Sequence, residues 1–295
     1  MLCLSSPRNH DCCCAARAIS IPPRSAETPR SAACAGIRYY KSSLTPGHHQ
    51  TRPLSRSLSI VIPAYNEQSR LPETLRRIEE YFCQGHWDFH EIIVVDDGSL
   101  DGTADAAMRF AARKPNIRVL RNPGNRGKGF SVRHGMLEAG GEWRLFTDAD
   151  LSTPVEELEK LWCAVANGRR QIAIGSRALD RSLIGVHQPG FRETMGRFFN
   201  LVMRAATGLA ISDSQCGFKL FRADVAREVF SRQKLERFGF DAEVLYIARR
   251  LGYGIAEVPV RWNHVEGSKV GLLTGLHAFR ELIDIRLNSL RGRYR

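Results

Sequence analysis

Between residues 58 and 176 the chain repeats one pattern: a short apolar run rich in β-branched residues stops at polar ones, and a stretch with helical spacing follows. Leu58–Ile62 runs into Pro63, Ala64, Tyr65, Asn66 and Glu67; Ile92–Val95 runs into Asp96 and Asp97. Ile117–Leu120 leads to a basic loop, residues 143–147 to Asp148 and Asp150, and residues 171–175 to Ser176 and Arg177. Runs of this length, bounded by turn residues, read as strands buried on both faces. Between the first two, Leu71, Leu75, Ile78 and Phe82 recur at helical spacing, with Pro72 in the first turn, where its missing N–H costs nothing. Alternating strands and helices predict an α/β fold, a mostly parallel sheet flanked by helices with right-handed crossovers. Ligands of such sheets bind outside the carboxyl ends of the strands, so the polar residues that end each run are the candidates for function.

Two stretches stand out among them. Asp148-Ala149-Asp150 places two carboxylates one residue apart directly after an apolar run. By itself the pair reads equally as a solvated loop whose second acid caps the next helix. Arg121–Gly129 is a glycine-rich basic loop that enters a helix carrying Val132, Met136 and Leu137. Backbone N–H groups at a helix start, together with Lys128, suit an anion. No Ser or Thr follows the lysine as in a P-loop, and a plain polar turn is the competing reading.

At 295 residues with 43% hydrophobic content the chain is long enough for one large domain or two small ones. Half of the net charge of +12 comes from residues 1–56, with eight basic against two acidic residues. That segment is rich in Cys, Ser and Arg, has few aliphatics and no periodicity, and is expected to be a disordered leader. An organelle transit peptide is compatible with its composition. No window holds eighteen consecutive apolar residues, so no transmembrane helix is expected. After residue 180 the texture changes. Glu193–Leu209 reads as a helix with Phe198, Phe199, Leu201, Val202 and Met203 crowded on more than one face, read as core ahead of a lipid-facing surface. Residues 213–222 return to a strand with basic groups, and Leu272–Leu290 is an amphipathic helix with an Arg-rich end. Nucleic-acid binding rests on net charge alone and has no interleaved basic and aromatic motif behind it.

Eight motifs, in order, carry a resemblance: IVIPAYNE (60–67), VVDDGSLDGT (94–103), NRGKGFSVRHGM (125–136), TDADLSTP (147–154), GSRAL (175–179), DSQCGFKLFR (213–222), FGFDAEVL (238–245) and EGSKV (266–270). Together they resemble glycosyltransferase family 2, of GT-A (Rossmann-like) fold, in its dolichyl-phosphate β-glucosyltransferase and bacterial polyprenyl-phosphate glycosyltransferase branch. The resemblance implies one domain over 57–290, with a nucleotide-sugar half at 57–179. An acceptor half and the C-terminal amphipathic helix occupy 180–290. It implies a nucleotide-sugar site from Pro63, Ala64, Tyr65, Glu67, Asp96, Asp97, Lys128, Arg133, Asp148 and Ala149, with Asp97 reading the base. Asp148 and Asp150 match the DXD pair that holds Mg2+ or Mn2+.

The implied reaction is inverting transfer of a hexose, glucose from UDP-glucose, to a polyprenyl or dolichyl phosphate. A lipid monophosphate has a second pKa of about 6 and needs no dedicated base. It needs cations instead, and Arg192, Lys219, Arg222 and Lys269, with Ser268, are the expected acceptor-phosphate residues; Arg192, Lys219 and Arg222 join the two acids as expected catalytic groups. The branch commonly carries an N-terminal membrane anchor, which the basic leader does not match. The expected location is therefore cytoplasmic, peripheral on the cytosolic membrane face. The QxxRW motif of processive synthases is missing, because Val258–Trp262 keeps only its last two letters. The alternative is the same donor chemistry on a soluble or protein acceptor.

Overall fold

The computed structural model describes residues 36–40, 55–166, 168–186, 190–265 and 272–295. In its first half β2 (Ser57–Ala64), β3 (Phe89–Asp96), β4 (Ile117–Arg121), β5 (Trp143–Thr147) and β6 (Ile172–Ser176) alternate with α1 (Leu71–Gln84), α2 (Thr103–Ala111), α3 (Lys128–Glu138) and α4 (Leu158–Val165). The second half adds β7 (Ile184–Val186), α5 (Gly190–Thr207), β8 (Phe218–Arg222), α6 (Ala223–Arg232) and α7 (Phe240–Arg250). Then follow β9 (Ile255–Pro259), β10 (Trp262–Asn263) and α8 (Leu272–Leu290).

Apolar runs without alternation form these strands because helices cover both faces of the sheet. Ile60, Ile62, Ile92 and Val94 pack into one core with Leu71, Leu75 and Leu161 of α1 and α4. Their neighbours Val61, Ile93, Val95 and Phe146 point the other way, onto Val132, Val229 and Phe240 of α3, α6 and α7. Each such branched or aromatic side chain contributes about 1.5–3 kcal/mol when fully buried.

With β1 formed by Arg38–Tyr40, the eight-stranded sheet has the order β1-β9-β6-β8-β5-β2-β3-β4. β2 runs parallel to β3 and β5, β3 to β4, and β6 to β9. β8 is inserted antiparallel between β5 and β6. The chain leaves β2 toward β3 on one side and returns to β5 on the other, so the strand ends of β2 and β5 open a crevice at the switch point. β7 and β10 form a separate two-stranded ribbon that the apolar pattern does not announce.

The leader expected to lack structure through residue 56 does not lack it throughout. β1 (Arg38–Tyr40) pairs antiparallel with β9 and closes that edge of the sheet. Tyr40 donates its hydroxyl to Glu257 Oε2 at 2.5 Å and to the Ala210 carbonyl at 3.1 Å, and Arg38 Nη1 donates to Ser212 Oγ at 2.9 Å. Three residues with strand propensity and two side-chain anchors suffice where a hydrophobic count over the whole leader does not reveal them. Residues 1–35 and 41–54 of the leader lie outside the described residues.

Candidate active site

β5 hands its chain to the crevice through a strained turn. Leu151 N donates to the Asp148 carbonyl at 3.2 Å and Ser152 N to Asp150 Oδ1 at 2.9 Å. Leu151 holds φ at +45° with its side chain buried, an unfavourable backbone state for leucine that persists only where packing imposes it. From α1, Thr74 Oγ1 donates to the Ala149 carbonyl at 2.6 Å and pins the residue between the two acids. The turn after β2 has the same device: Asn66 has φ +53°, and its Oδ1 accepts from Leu100 N at 2.8 Å.

Lys128, the first residue of α3, lies 2.6 Å from Asp148 Oδ1. Burial opposes its charge, but the Asp148, Asp241 and Asp150 carboxylates outweigh burial and hold the ammonium protonated well above its ordinary range. Gly217 backs directly onto Asp148, where any Cβ would collide with the carboxylate. Asp148 therefore sits between a lysine and a glycine, with Asp150 beside it.

The glycine-rich loop departs from the expected anion cradle. Asp97 accepts from Asn122 Nδ2 at 2.8 Å, Arg126 N at 3.1 Å and Gly127 N at 2.7 Å. Gly129 N donates to the Arg237 carbonyl at 3.2 Å and Phe130 N to the Glu236 carbonyl at 3.0 Å. These four amides are spent inside the protein, and the Lys128 side chain extends from the loop to the crevice. Both Asp97 oxygens are thus engaged by its own loop and by Asn122. Asp96, fully buried at the end of β3, receives Ser99 N on Oδ1 at 3.2 Å, while Oδ2 has no hydrogen-bond partner and lies 3.5 Å from Arg121 Nε. Pro63 and Ala64 close β2 beside Val95 and Asp96. Tyr65 is half-buried in the turn that follows, and Glu67 there accepts from Arg70 at 3.2 Å.

Three expected site residues have their side chains engaged within the protein. Lys219 is fully buried, donates to the Cys216 carbonyl at 2.6 Å and is ion-paired with Asp241; a lysine this enclosed holds the fold and does not meet an acceptor phosphate. Arg222 pairs with Trp143 at the start of β5, while Phe218 pairs with Thr147 at its end. The antiparallel insertion of β8 thus carries Arg222 four residues, about 13 Å, away from the crevice, where it binds Asp224 through two nitrogens at 2.7 Å. Arg133 turns from α3 to the α6 terminus and donates Nε to the Phe230 carbonyl at 3.0 Å. Arg192 belongs to α5, with its side chain outside the described residues, as are Ser268 and Lys269.

A residue given no role beforehand stands at the end of β6. Arg177 grips Asp213 with Nε and Nη2 at 2.6 and 2.8 Å, and its guanidinium lies 5.5 Å from the centre of the Trp262 ring. Burial works against both charges, yet each holds the other ionised: Asp213 is depressed and Arg177 raised. The GSRAL and DSQ motifs were the available signal, but no local spacing links residues 36 positions apart. Burial pushes the neighbouring Cys216 thiol up to about 11, so it is no nucleophile.

For a metal, the described residues offer no group of three or more His, Cys, Asp or Glu. Two carboxylates one residue apart fit an ion completed by phosphate and water oxygens, since Mg2+ is commonly held by one or two carboxylates beside substrate phosphates.

An open, mostly parallel α/β sheet with two acids and a lysine at the carboxyl ends of its central strands defines a Rossmann-like enzyme of GT-A type. The chain belongs to glycosyltransferase family 2, whose model, Glycosyl transferase family 2, matches residues 59–230. It is similar to a dolichyl-phosphate beta-glucosyltransferase of Trichomonas vaginalis, 38% identical over 72% of this chain and 68% of the relative. The Homo sapiens enzyme of that name is 37% identical over 82% and 78%, and the Saccharomyces cerevisiae one 32% over 81% and 76%. Among solved structures, glucosyl-3-phosphoglycerate synthase from Mycobacterium tuberculosis in complex with UDP matches with TM-score 0.57 and 20% identity, over 81% of this chain and 80% of that one. The same synthase with Mn2+ and UDP-glucose gives 0.56 and 20% over 79% and 78%. At that identity the likeness establishes the fold alone.

Proposed function

We propose that this glycosyltransferase transfers glucose from UDP-glucose to a polyprenyl or dolichyl phosphate, with inversion and with a divalent ion. The reading is carried by the match to dolichyl-phosphate beta-glucosyltransferases, which at 37% identity extends over 82% of the chain for the human protein and so takes in both halves. The solved complexes of the synthase with Mn2+ and UDP-glucose support the donor and the ion.

Breaking the bond between glucose and a nucleoside diphosphate leaves a diphosphate whose negative charge grows in the transition state. Lys128 answers that charge: it is held protonated at the crevice and exchanges Asp148 for a phosphate oxygen when the donor arrives. Asp148 and Asp150 would hold the Mg2+ or Mn2+, whose chemistry there is electrostatic stabilisation of the leaving diphosphate. The strained turn at Leu151 fixes both carboxylates before the donor binds, so no ordering cost falls on the reaction. The acceptor phosphate is already ionised near neutrality, and no residue is required as base. Its contacts are assigned to Arg192, Ser268 and Lys269, with Lys219 and Arg222 withdrawn.

The lipid acceptor implies a membrane surface. No described helix is long and apolar enough to cross a membrane. Peripheral contact is supported by exposed apolar side chains: Phe198 and Leu201 on α5, and Ile283, Leu287 and Leu290 on α8, with Arg204 and Arg286 exposed on the same helices. Phe199 and Met203 of the same crowded α5 stretch are core.

The test offers radiolabelled UDP-glucose with polyprenyl phosphate, and separately with a soluble acceptor. Organic-extractable, acid-labile label supports the proposal; label found only in aqueous product moves the acceptor to the soluble alternative.

A further inference from the structure

Glu243 is a fully buried carboxylate on α7 that the chemistry above does not use. It accepts from Lys234 N at 3.0 Å and from Leu235 N at 2.9 Å, and it receives the Tyr294 hydroxyl at 2.7 Å. Tyr294 is itself buried and meets Tyr246 edge-on, 6.1 Å between ring centres. Burial pushes the Glu243 carboxyl above its ordinary range, and the hydroxyl and the two amides work against that push.

The segment held by Glu243 is the wall against which the Lys128 loop rests. Gln233 Nε2 donates to the Gly129 carbonyl at 2.9 Å, while the Arg237 and Glu236 carbonyls receive Gly129 N and Phe130 N. The approach is close enough to exclude side chains: a Cβ on Gly127, whose φ is +112°, would lie 2.5 Å from the Glu236 carbonyl oxygen. Asp97 fixes the other side of the loop through Arg126 N and Gly127 N. Lys128 is thus carried on a backbone clamped from two sides, and one clamp ends in Tyr294.

We propose that Glu243 and Tyr294 are positioning residues for Lys128, acting through residues 233–237 on the backbone of Gly127–Phe130 and never touching substrate. A buried carboxylate that loses one of its three donors relaxes toward water, and the two amides it holds move with it. The consequence for catalysis rests on the reading of Lys128 as a donor-phosphate contact.

The test uses the full chain and the conservative variant Tyr294→Phe, which keeps the ring and removes only the hydroxyl, compared in wild-type and Lys128→Met backgrounds. UDP binding is measured by calorimetry and amide exchange by mass spectrometry. Expected are a roughly threefold to tenfold weaker UDP affinity, the magnitude of one lost hydrogen bond, and faster exchange at Gly129 and Phe130 with β2 unchanged. The affinity loss is expected to disappear in Lys128→Met, because the effect runs through that side chain. The proposal is overturned by unchanged exchange at Gly129 and Phe130, or by an equal affinity loss in both backgrounds. If the wild type binds no UDP, the donor reading falls while the exchange comparison still decides the positioning claim.

Discussion

Lys128 Nζ lies 2.6 Å from Asp148 Oδ1, so a residue that begins α3 neutralises one that ends β5. The pair joins the two strongest polar signals in the sequence and places a cation at the crevice where the proposed donor would bind. Lys128→Met is expected to raise the donor KM by about 10- to 100-fold, the value of a charged hydrogen bond to phosphate at about 1.5–3 kcal/mol. The acceptor KM should stay put; steady-state kinetics with each substrate varied in turn would reveal a shift in the wrong one.

Asp150→Asn keeps the hydrogen bond from Ser152 N but removes the charge at the DAD turn. Activity is expected to fall about a hundredfold, as when one electrostatic contributor to a transition state is lost. The Mn2+ concentration for half-maximal rate should rise with it. Full activity with an unaltered Mn2+ titration would remove Asp150 from the metal role.

Lys219→Met leaves Asp241 buried with its ion-pair partner gone. Breaking a buried pair from one side costs about 3–5 kcal/mol, so a large drop in thermal midpoint is expected. A midpoint within a degree or two of wild type would mean that the pair is solvated and Lys219 free to meet a ligand.

Arg222→Ala and Arg133→Ala are expected to leave turnover within about twofold, since neither side chain faces the crevice. Losing the partly exposed Arg222–Asp224 pair should cost only about 0–1 kcal/mol. A tenfold loss of activity in either variant, without unfolding, would return that residue to the site.

Tyr40 predicts an alkaline signature. Burial first, and then its hydrogen bond to Glu257, push the phenol from 10.0 up to about 12. A folded-state pKa above the unfolded one makes its contribution complete below pH 10 and progressively lost as pH rises from 10 to 12. Tyr40→Phe should therefore lose stability less steeply across that window than wild type, read as thermal midpoint against pH. Parallel curves would show that β1 does not hold the hydroxyl buried.

How far the chain could be read in advance is best seen on β8. Phe218–Arg222 is legible as a strand and its basic residues are legible as unusual, yet their roles depend on direction. Inserted antiparallel, β8 puts Phe218 beside the end of β5 and Arg222 beside its start, and Lys219 falls under α7, where Asp241 meets it. Nothing within five residues encodes that choice. The same holds for Arg177 and Asp213, and for β1, whose three residues become a strand only because β9 offers an edge.

What the sequence by itself determined was local: burial on both faces writes uninterrupted apolar strands, helices write their period, and the end of each strand exposes its polar residues at one rim. That much marked Asp148, Asp150 and Lys128 as polar residues at the rim, while the family was legible only from the motifs themselves. Tertiary structure alone decided which charges meet. It spent the loop amides on Asp97, Glu236 and Arg237, closed Lys219 onto Asp241, and turned Arg222 away. The physical reason is range: periodicity and capping act over a few residues, whereas an ion pair or a clamp is set by which distant backbones pack together.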